Sequence, residues 1–331
     1  MAVMLQESSF RSMNTQIQVI LAASREMSEF EPLIQSYFAK AEQRFSRFLA
    51  SSECSLLNRN SGSRCMISDE MANVLELCQH YFEVTEGVFN IFILPALEHA
   101  GYQRSFETIA NDDEFAEICN PPLLPFPKDR LQIDLDTAMS SVRFPANQQM
   151  DLGGIVKSWT VQGLSDLLRI ERQMQRGLVN AGGDVEVWGG ASDMEPWVIA
   201  IDRPNSSRIH RLDELLLLLV DGSVATSNTQ KRSWRNSGGS MHHLIDPNTM
   251  KPSRSSVIQC SVVGEHLVEC EIWAKVMCIR GLEDGLPLFK RHAQRLEALI
   301  FTEDGTLHHV KPSANGSKGQ WLGLEADYVY V

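Results

Sequence analysis

The stretch Asp151-Leu-Gly-Gly-Ile-Val-Lys157 places a glycine pair directly before a segment with the apolar spacing of a helix. Two glycines let the main chain approach a ligand closely, and the free N–H groups of a helix start attract an anion. The stretch therefore suits a phosphate-binding turn. A tight turn with a solvated Lys157 side chain is the other interpretation of this stretch taken alone.

On the C-terminal side of this turn, short strand-like runs alternate with helical stretches. The spacing of apolar residues predicts strands over 177–180, 185–188, 197–201, 215–220, 257–263 and 296–301. It predicts helices over 156–168 and 266–279. This part of the chain is expected to form a mixed α/β body.

On the N-terminal side, one strand is predicted around 16–22, followed by helices over 30–48 and 69–84. Four prolines between 111 and 129 predict a loop there. No hinge-like linker divides the chain, so a single unit over 1–331 is expected, helix-rich over 1–150 and strand-rich over 151–331. The predicted fold class is α/β, in a mixed α+β arrangement.

Charge and composition exclude several kinds of function. The net charge of −12 leaves no basic patch for nucleic acid. The longest apolar run, 215–220, is far shorter than the roughly 20 residues of a membrane span. Residues 1–15 lack the pattern of a secretory or lipoprotein signal. Seven scattered cysteines without a C-x-x-C pair fit a reducing cytoplasm better than a disulfide framework or a zinc site.

Three further segments place turn-forming residues beside groups that bind phosphate or protons. Asn180-Ala-Gly-Gly-Asp184 permits close ligand approach, or forms a simple hairpin. Val224-Ala-Thr-Ser-Asn228, followed by Arg232, offers hydroxyls and a guanidinium to a pyrophosphate, or ends a strand in a turn. His242-His243-Leu-Ile-Asp246-Pro247 contains either a general base or merely a hydrogen-bonded histidine.

Glu271 and Lys275 lie four residues apart on the helix predicted over 266–279. Acid before base is the favourable order for an exposed ion pair, which contributes only about 0.2–0.5 kcal/mol. Taken alone, the two residues indicate no more than such a pair.

In this order and at these separations, the segments resemble the ApbE-type family of FAD:protein FMN transferases, formerly described as thiamine-biosynthesis lipoproteins. The family pattern D-L-G-G-x-x-K-G is similar to 151–158, with Ser158 for Gly, and G-G-D, A-T-S and H-x-I-D-P match 182–184, 225–227 and 243–247. Upstream, 45–48, 87–90 and 13–15 resemble its F-S-R-aromatic, G-A-F-D and M-G-T patterns. The resemblance extends from about residue 11 to about residue 282.

The resemblance implies a T-fold-like architecture and transfer of FMN from FAD to a Ser or Thr hydroxyl of an acceptor protein, with release of AMP. It implies His243 as the base that activates the hydroxyl. It also implies a set of FAD-binding residues, namely Met13, Phe48, Val88, Phe89, Asn90, Asp151, Lys157, Asp184, Thr226, Ser227 and Ile245.

The metal positions depart from the family pattern. Family members bind Mg²⁺ through the carboxylate and hydroxyl of a helical D-x-x-x-T and a carbonyl of the D-L-G-G turn, which correspond here to Glu271, Lys275 and Gly154. A charged lysine has no lone pair and repels a divalent cation. Lys275 is therefore expected to replace part of the magnesium charge, with slower transfer than at a complete magnesium site.

Two other functions use the same residues. A protein that binds FAD or FMN without transferring it is favoured by the Glu271/Lys275 pair. Hydrolysis of FAD to FMN and AMP needs the same site, with water as the nucleophile.

Overall fold

The computed structural model describes residues 4–23, 26–110, 131, 133–204, 215–236, 239–316 and 319–331. Its helices are α1 (Glu31–Phe45), α2 (Glu53–Arg59), α3 (Asp69–Val84), α4 (Leu94–His99), α5 (Phe106–Ala110), α6 (Val156–Asp166) and α7 (Leu267–His292). A short 3-10 turn at Met27–Glu29 precedes α1, and a π-helical turn at Leu167–Glu171 follows α6.

The strands of the first half are β1 (Met4–Ser12), β2 (Thr15–Ala23), β3 (Cys65–Met66), β4 (Asp134–Asp136) and β5 (Ser141–Arg143). Those of the second half are β6 (Gly177–Ala181), β7 (Asp184–Trp188), β8 (Trp197–Ile201), β9 (Leu215–Leu219), β10 (Gly222–Asn228), β11 (Ser233–Asn236), β12 (Gly239–His242), β13 (Ile245–Asp246), β14 (Lys251–Pro252), β15 (Val257–Gly264), β16 (Glu297–Thr302), β17 (Leu307–Val310), β18 (Gln320–Leu322) and β19 (Tyr328–Tyr330).

A nine-stranded sheet in the order β1-β2-β6-β7-β10-β15-β16-β17-β19 forms the centre of the molecule. Its neighbours pair antiparallel, except that β17 and β19 are parallel. In β2, alternate residues Ile17, Val19 and Leu21 are fully buried, as the period of two predicts for a strand with one face on the core. The main sheet therefore joins strands from both halves of the chain.

The two faces of the main sheet are covered differently. Helices α1, α3, α6 and α7 pack on one face and enclose the larger hydrophobic core. A smaller sheet, in the order β18-β9-β8, packs on the other face through a second core. Because both faces are covered, every residue of β15 is buried.

Helix α7 crosses the sheet and bends at Gly281. The φ angle of Gly281 is 72°, a left-handed conformation that glycine adopts readily and that interrupts the helix. The portion before the bend is buried against β10 and β15 and carries Glu271 and Lys275.

Most predicted elements are confirmed with small shifts at their ends. The helix predicted over 69–84 is α3, and the strand predicted over 197–201 is β8. Residues 224–228 form the C-terminal part of β10, which ends at Asn228, so the interpretation of this segment as a strand end is confirmed. The turn that follows is held by Asn228 Oδ1, which accepts from the N–H groups of Gln230 and Lys231. The spacing of apolar residues did not predict β1, because most residues of this edge strand are polar. The loop predicted over 111–129 lies outside the described residues.

Candidate active site

A cleft of about 550 Å³ lies where the loops and strand ends of both halves meet on the helix side of the main sheet. All the site residues predicted from sequence line this cleft: Met13, Phe48, Val88, Phe89, Asn90, Asp151, Gly154, Lys157, Asp184, Thr226, Ser227, His243, Ile245, Glu271 and Lys275. They come from segments up to 262 positions apart, since Met13 and Lys275 both belong to the set. The fold therefore brings the predicted residues into one site.

Two hairpin turns meet at one side of the cleft. Between β1 and β2, Met13 and Asn14 have φ angles of 51° and 56°, which asparagine tolerates better than most residues and glycine tolerates freely. Between β6 and β7, Gly182 has a φ of 62°, and a Cβ there would lie 2.2 Å from Thr15 Oγ1. Gly182 is thus needed for close contact between the two hairpins, Gly183 is favoured only by its φ of 99°, and Asn14 is compatible with its turn.

The turn at 151–154 is held by Asp151. The Oδ1 atom of Asp151 accepts a hydrogen bond from the Gly153 N–H at 2.8 Å, and its Oδ2 atom lies 2.5 Å from Arg47 Nε. The Arg47 guanidinium in turn lies 4.1 Å from the centre of the Phe48 ring and 4.8 Å from that of Tyr102. Both carboxylate oxygens of Asp151 are therefore engaged in shaping the turn and in holding an aromatic wall of the cleft.

Lys157, in the first turn of α6, is directed into a group of carboxylates rather than into solvent. Its Nζ atom contacts Asp184 and lies 3.9 Å from Glu271 Oε1. Nζ also donates a hydrogen bond to the Ala181 carbonyl at 3.3 Å. The alternative of a solvated Lys157 was wrong, because only 15% of its side chain is exposed.

Burial lowers the pKa of the Lys157 ammonium to about 7, and the positive charges of Lys275 and Arg232 add to this effect. The Glu271 carboxylate opposes it. The contact with Asp184 also favours the charged form. A further anion in the cleft, such as a phosphate, would favour the ammonium in the same way.

Glu271 and Lys275 form a buried ion pair, which corrects the interpretation of these residues as an exposed pair. Lys275 Nζ lies 2.6 Å from Glu271 Oε1, and the two side chains are 14% and 3% exposed. Glu271 Oε2 accepts a hydrogen bond from the Ser158 N–H at 3.3 Å. Burial raises the pKa of the Glu271 carboxyl, but Lys275 and Lys157 outweigh it and hold the pKa below its ordinary value.

The residues at the predicted metal positions do not fit Mg²⁺. Magnesium takes an octahedral shell of oxygen ligands. Here Glu271 is the only carboxylate of the three positions, and its Oε1 atom already lies between the ammonium groups of Lys275 and Lys157. The stem of Lys275 passes beside Gly154, whose Cβ would lie 3.6 Å from Lys275 Cε. Across the described residues, no group of three or more His, Cys, Asp or Glu side chains is placed to hold a metal.

His243 has one ring nitrogen without a partner. Its imidazole is hydrogen-bonded to the backbone of Arg232, while the Nδ1 atom is buried and accepts from no donor in the described part of the chain. Burial, reinforced by the charges of Arg232, Lys275 and His242, lowers the pKa of His243 well below its ordinary value. His243 is therefore neutral at neutral pH and has a lone pair available on Nδ1.

Arg232 is the cleft cation that lacks a carboxylate partner among the described residues. The other cleft cations are each paired: Arg11 with Glu107, Arg47 with Asp151, Lys157 with Asp184, Lys231 with Asp202 and Lys275 with Glu271. Its positive charge affects the pKa values of Tyr102, Lys157 and His243, which line the same cleft. The Arg232 guanidinium can therefore bind an anion in the cleft without first leaving a carboxylate of the described residues.

Sequence motifs did not reveal the aromatic wall of the cleft. Tyr102 lies 6.0 Å from Phe48 and 5.2 Å from Trp234, measured between ring centres. The Trp234 indole donates a hydrogen bond to the Ala100 carbonyl at 2.7 Å. Tyr102 follows a short helix and belongs to no recognisable pattern, so only its packing identifies it.

None of the helices in the described ranges is both long and apolar enough to cross a bilayer.

Both the sequence and the fold of this chain are similar to those of known proteins. The sequence model of the ApbE family matches residues 13–300. The FAD:protein FMN transferase of Vibrio cholerae is 22% identical over 283 residues, covering 85% of this chain and 82% of that protein. The FAD:protein FMN transferase of Haemophilus influenzae is 23% identical over 281 residues, covering 84% of this chain and 79% of that protein.

Two solved structures share the fold. The ApbE protein of Thermotoga maritima superposes with a TM-score of 0.77 at 20% identity, covering 92% of this chain and 97% of that one. The flavin transferase ApbE of Vibrio cholerae superposes with a TM-score of 0.72 at 17% identity, covering 96% and 97%. From the family match over most of its length, this chain belongs to the ApbE family.

Proposed function

We propose that this protein is an FAD:protein FMN transferase, which moves FMN from FAD to a Ser or Thr hydroxyl of an acceptor protein and releases AMP. The observation that carries the proposal is the set of cations that line one cleft, where Lys157 and Lys275 flank Glu271 and Arg232 lines the same cleft without a carboxylate partner among the described residues. A pyrophosphate is the flavin-nucleotide group that such a cluster would bind. The curated relatives that carry this activity match most of the chain.

In the proposed reaction, the acceptor oxygen forms a bond to the phosphorus on the FMN side of FAD. The bond from that phosphorus to the bridging oxygen breaks, and the bridging oxygen leaves with AMP. The hydroxyl proton passes to Nδ1 of His243, which is neutral and has no other partner among the described residues. Nδ1 has no exposed surface, so neighbouring side chains must shift slightly when the acceptor enters.

The other residues of the cleft are proposed to bind FAD and to orient it. We assign the aromatic wall of Phe48 and Tyr102 to the flavin ring, since planar apolar groups stack on such surfaces. Lys157, Thr226 and Ser227 are assigned to the phosphates. The remaining predicted positions shape or line the cleft: Met13, Val88, Phe89, Asn90, Asp151, Asp184 and Ile245.

Lys275 is proposed to stand where a magnesium ion would otherwise carry positive charge. Its ammonium neutralises charge that builds on the pyrophosphate during transfer, as fixed cations do in phosphoryl transfer. A point charge on a flexible stem positions fewer oxygens than a metal does, so slow transfer is expected. The same feature favours the second candidate, a protein that binds flavin without transferring it.

The remaining proposals concern the whole chain. A single unit over 1–331 is supported by the pairing of β2, from the first half, with β6, from the second. A reducing cytoplasmic location is supported by the free cysteines of the described residues, Cys54, Cys65, Cys78, Cys260, Cys270 and Cys278.

The direct test is FAD titration followed by transfer. We expect saturable quenching of flavin fluorescence at micromolar FAD, and an FMN adduct detected by mass spectrometry on peptides with a Ser or Thr acceptor. Saturable binding without any adduct would leave the flavin-binding protein as the function. Release of FMN and AMP without an adduct would indicate hydrolysis.

Lys157→Ala is expected to weaken FAD binding more than Lys251→Ala. Lys157 is buried among carboxylates in the cleft, whereas Lys251 is exposed on β14. A charge-assisted hydrogen bond contributes about 1.5–3 kcal/mol, or a factor of roughly 10–150 in the dissociation constant. Isothermal titration of both variants measures the difference, and equal losses would contradict this placement of Lys157.

Arg232→Gln is expected to reduce affinity in proportion to the phosphates of the ligand. Because Arg232 is the cation without a carboxylate among the described cleft residues, the loss should be about 10–100-fold for FAD, smaller for FMN and absent for riboflavin. Arg235→Gln, at an exposed position of the following strand β11, is the matched control. Equal losses for all three ligands would assign Arg232 a structural role instead.

A further inference from the structure

A second groove, of about 250 Å³, continues from the cleft onto the opposite face of the main sheet. The cleft and the groove share Gly182, Thr226, Asn228 and Lys231 as lining residues. The two spaces therefore lie next to each other beside the proposed phosphate site.

The groove follows the edge of β8. Five consecutive residues, 198–202, line it, although successive side chains of a strand point to opposite faces. Such a lining means that the groove runs along the main chain of the strand. β8 pairs with β9 on one side, and no strand of the described residues pairs with its other side. An edge of this kind presents unpaired N–H and C=O groups.

The floor of the groove is the face of the main sheet. Leu178, Val185 and Val224 lie beneath it in the second core, while Gln18 and Asn180 supply amides and Val198 of β8 supplies exposed apolar surface. The charged groups of the groove, Lys231 and Asp202, pair with each other at 2.7 Å. A chain lying here would meet hydrogen-bonding and apolar groups rather than a net charge.

We propose that this groove binds the acceptor protein as an extended segment that adds to the free edge of β8. The inference rests on the proposed function, because that reaction needs a polypeptide hydroxyl as its second substrate. Main-chain hydrogen bonds to a strand edge give affinity, and alternate side chains give specificity. A segment running along β8 brings one Ser or Thr to the junction at Thr226 and Lys231, where the cleft begins.

The partner has a defined chemistry. It is an unfolded or loop segment without proline at the paired positions, because proline cannot donate to a strand. Side chains toward the floor are small, to fit a groove of about 250 Å³. A folded helix does not offer the free main-chain groups that β8 needs.

The first test uses synthetic peptides with one central Ser or Thr and randomised flanks, incubated with parent protein and FAD. The best flavinylated peptide is then compared on parent and Gln18→Trp, which places an indole in the groove and leaves the proposed phosphate residues unchanged. We expect the KM for peptide to rise about tenfold or more, with FAD affinity unchanged. Val329→Trp, on the exposed edge strand β19, is the matched control and should behave as the parent.

The second test needs no variant. Hydrogen exchange of the parent, measured with saturating peptide, should show new protection of 197–201 and none at 328–330. Absent protection of 197–201, or an unchanged KM in correctly folded Gln18→Trp, would overturn the groove as the acceptor site while leaving the transferase intact. If the parent flavinylates no peptide, the proposed function fails, and the groove proposal fails with it.

Discussion

Replacing His243 by glutamine is expected to slow FMN transfer about 10²–10⁴-fold, the usual contribution of a general base. Glutamine retains a group that can hydrogen-bond to the Arg232 backbone but cannot accept and hold a proton at neutral pH. FAD affinity should change little, because the proposed role of His243 concerns the acceptor hydroxyl. Single-turnover transfer to a peptide, with FAD affinity measured separately, gives both quantities.

His242 supplies the matched control for this substitution. Its Nε2 atom bonds to the Ser253 carbonyl at 2.9 Å, and its Nδ1 atom accepts from the Leu244 N–H at 3.3 Å, so both ring nitrogens are engaged. His242→Gln should lower the melting temperature more than the transfer rate. If His243→Gln retained near-parental transfer while His242→Gln abolished it, the assignment of the base would be reversed.

The pH dependence of kcat should report on the base, His243, whereas that of kcat/KM for FAD should report on Lys157 in the phosphate site. The pKa of His243 lies well below its ordinary value, so the imidazole stays neutral and kcat should not fall until the pH drops well below about 6.5. In the flavin-free protein, Lys157 loses its proton as the pH rises through about 7, so kcat/KM for FAD should fall above that pH. A fall of kcat near pH 6.5, with constant kcat/KM above pH 7, would contradict both assignments.

The order of the elements and the membership of the site could be predicted from sequence, because both depend on local patterns. The period of two in 16–22 and the glycine pairs at 153–154 and 182–183 identify a strand and two turns without knowledge of the packing. The residues that these turns carry then converge on one cleft. The recurrent motifs therefore name residues that line one cleft.

Burial and partner choice could not be predicted in this way. An acid and a base four residues apart form the same sequence pattern on an exposed helix and on a buried one. In this structure the helix is buried, and Glu271 is only 2% exposed. The contact of Lys157 with Asp184 joins a helix start to a hairpin turn, and no spacing rule connects them. Tyr102 and the free edge of β8 belong to the cleft and the groove through packing alone.

Whether Lys275 replaces a magnesium ion can be tested by substituting both residues of the buried pair, Glu271 and Lys275. The double substitution Glu271→Asp and Lys275→Thr restores a hydroxyl and the shorter carboxylate at the metal positions. Removing the ammonium from beside a divalent cation removes an electrostatic repulsion. For charges of +1 and +2 at a separation of 4 Å and an effective dielectric constant of 20, Coulomb's law gives roughly 8 kcal/mol, an upper bound that hydration and protein relaxation reduce. We expect Mg²⁺ affinity to rise at least about tenfold as a result.

The parent protein and the variant should therefore respond oppositely to metal. Parent transfer is expected to persist in EDTA and to gain little from Mg²⁺, because Lys275 Nζ lies 2.6 Å from Glu271 Oε1. Transfer by the double variant should depend on Mg²⁺, and its binding of Mn²⁺ should be visible by electron paramagnetic resonance without any turnover. Each single substitution is a control, since Lys275→Thr alone removes the repulsion but leaves the longer carboxylate.

Loss of stability is the expected side effect of this exchange. Breaking a buried ion pair by removing one partner costs about 3–5 kcal/mol, although Lys157 and the Ser158 N–H still contact the carboxylate of Glu271 in the Lys275→Thr variant. Bound Mg²⁺ should recover part of that loss, so the melting temperature of the double variant should rise with Mg²⁺ while that of the parent stays constant. A parent that binds Mg²⁺ tightly and stops transferring in EDTA would show that the lysine does not replace the metal. A folded double variant that gains neither metal binding nor metal-dependent transfer would show that α7 does not present these two residues to the pyrophosphate.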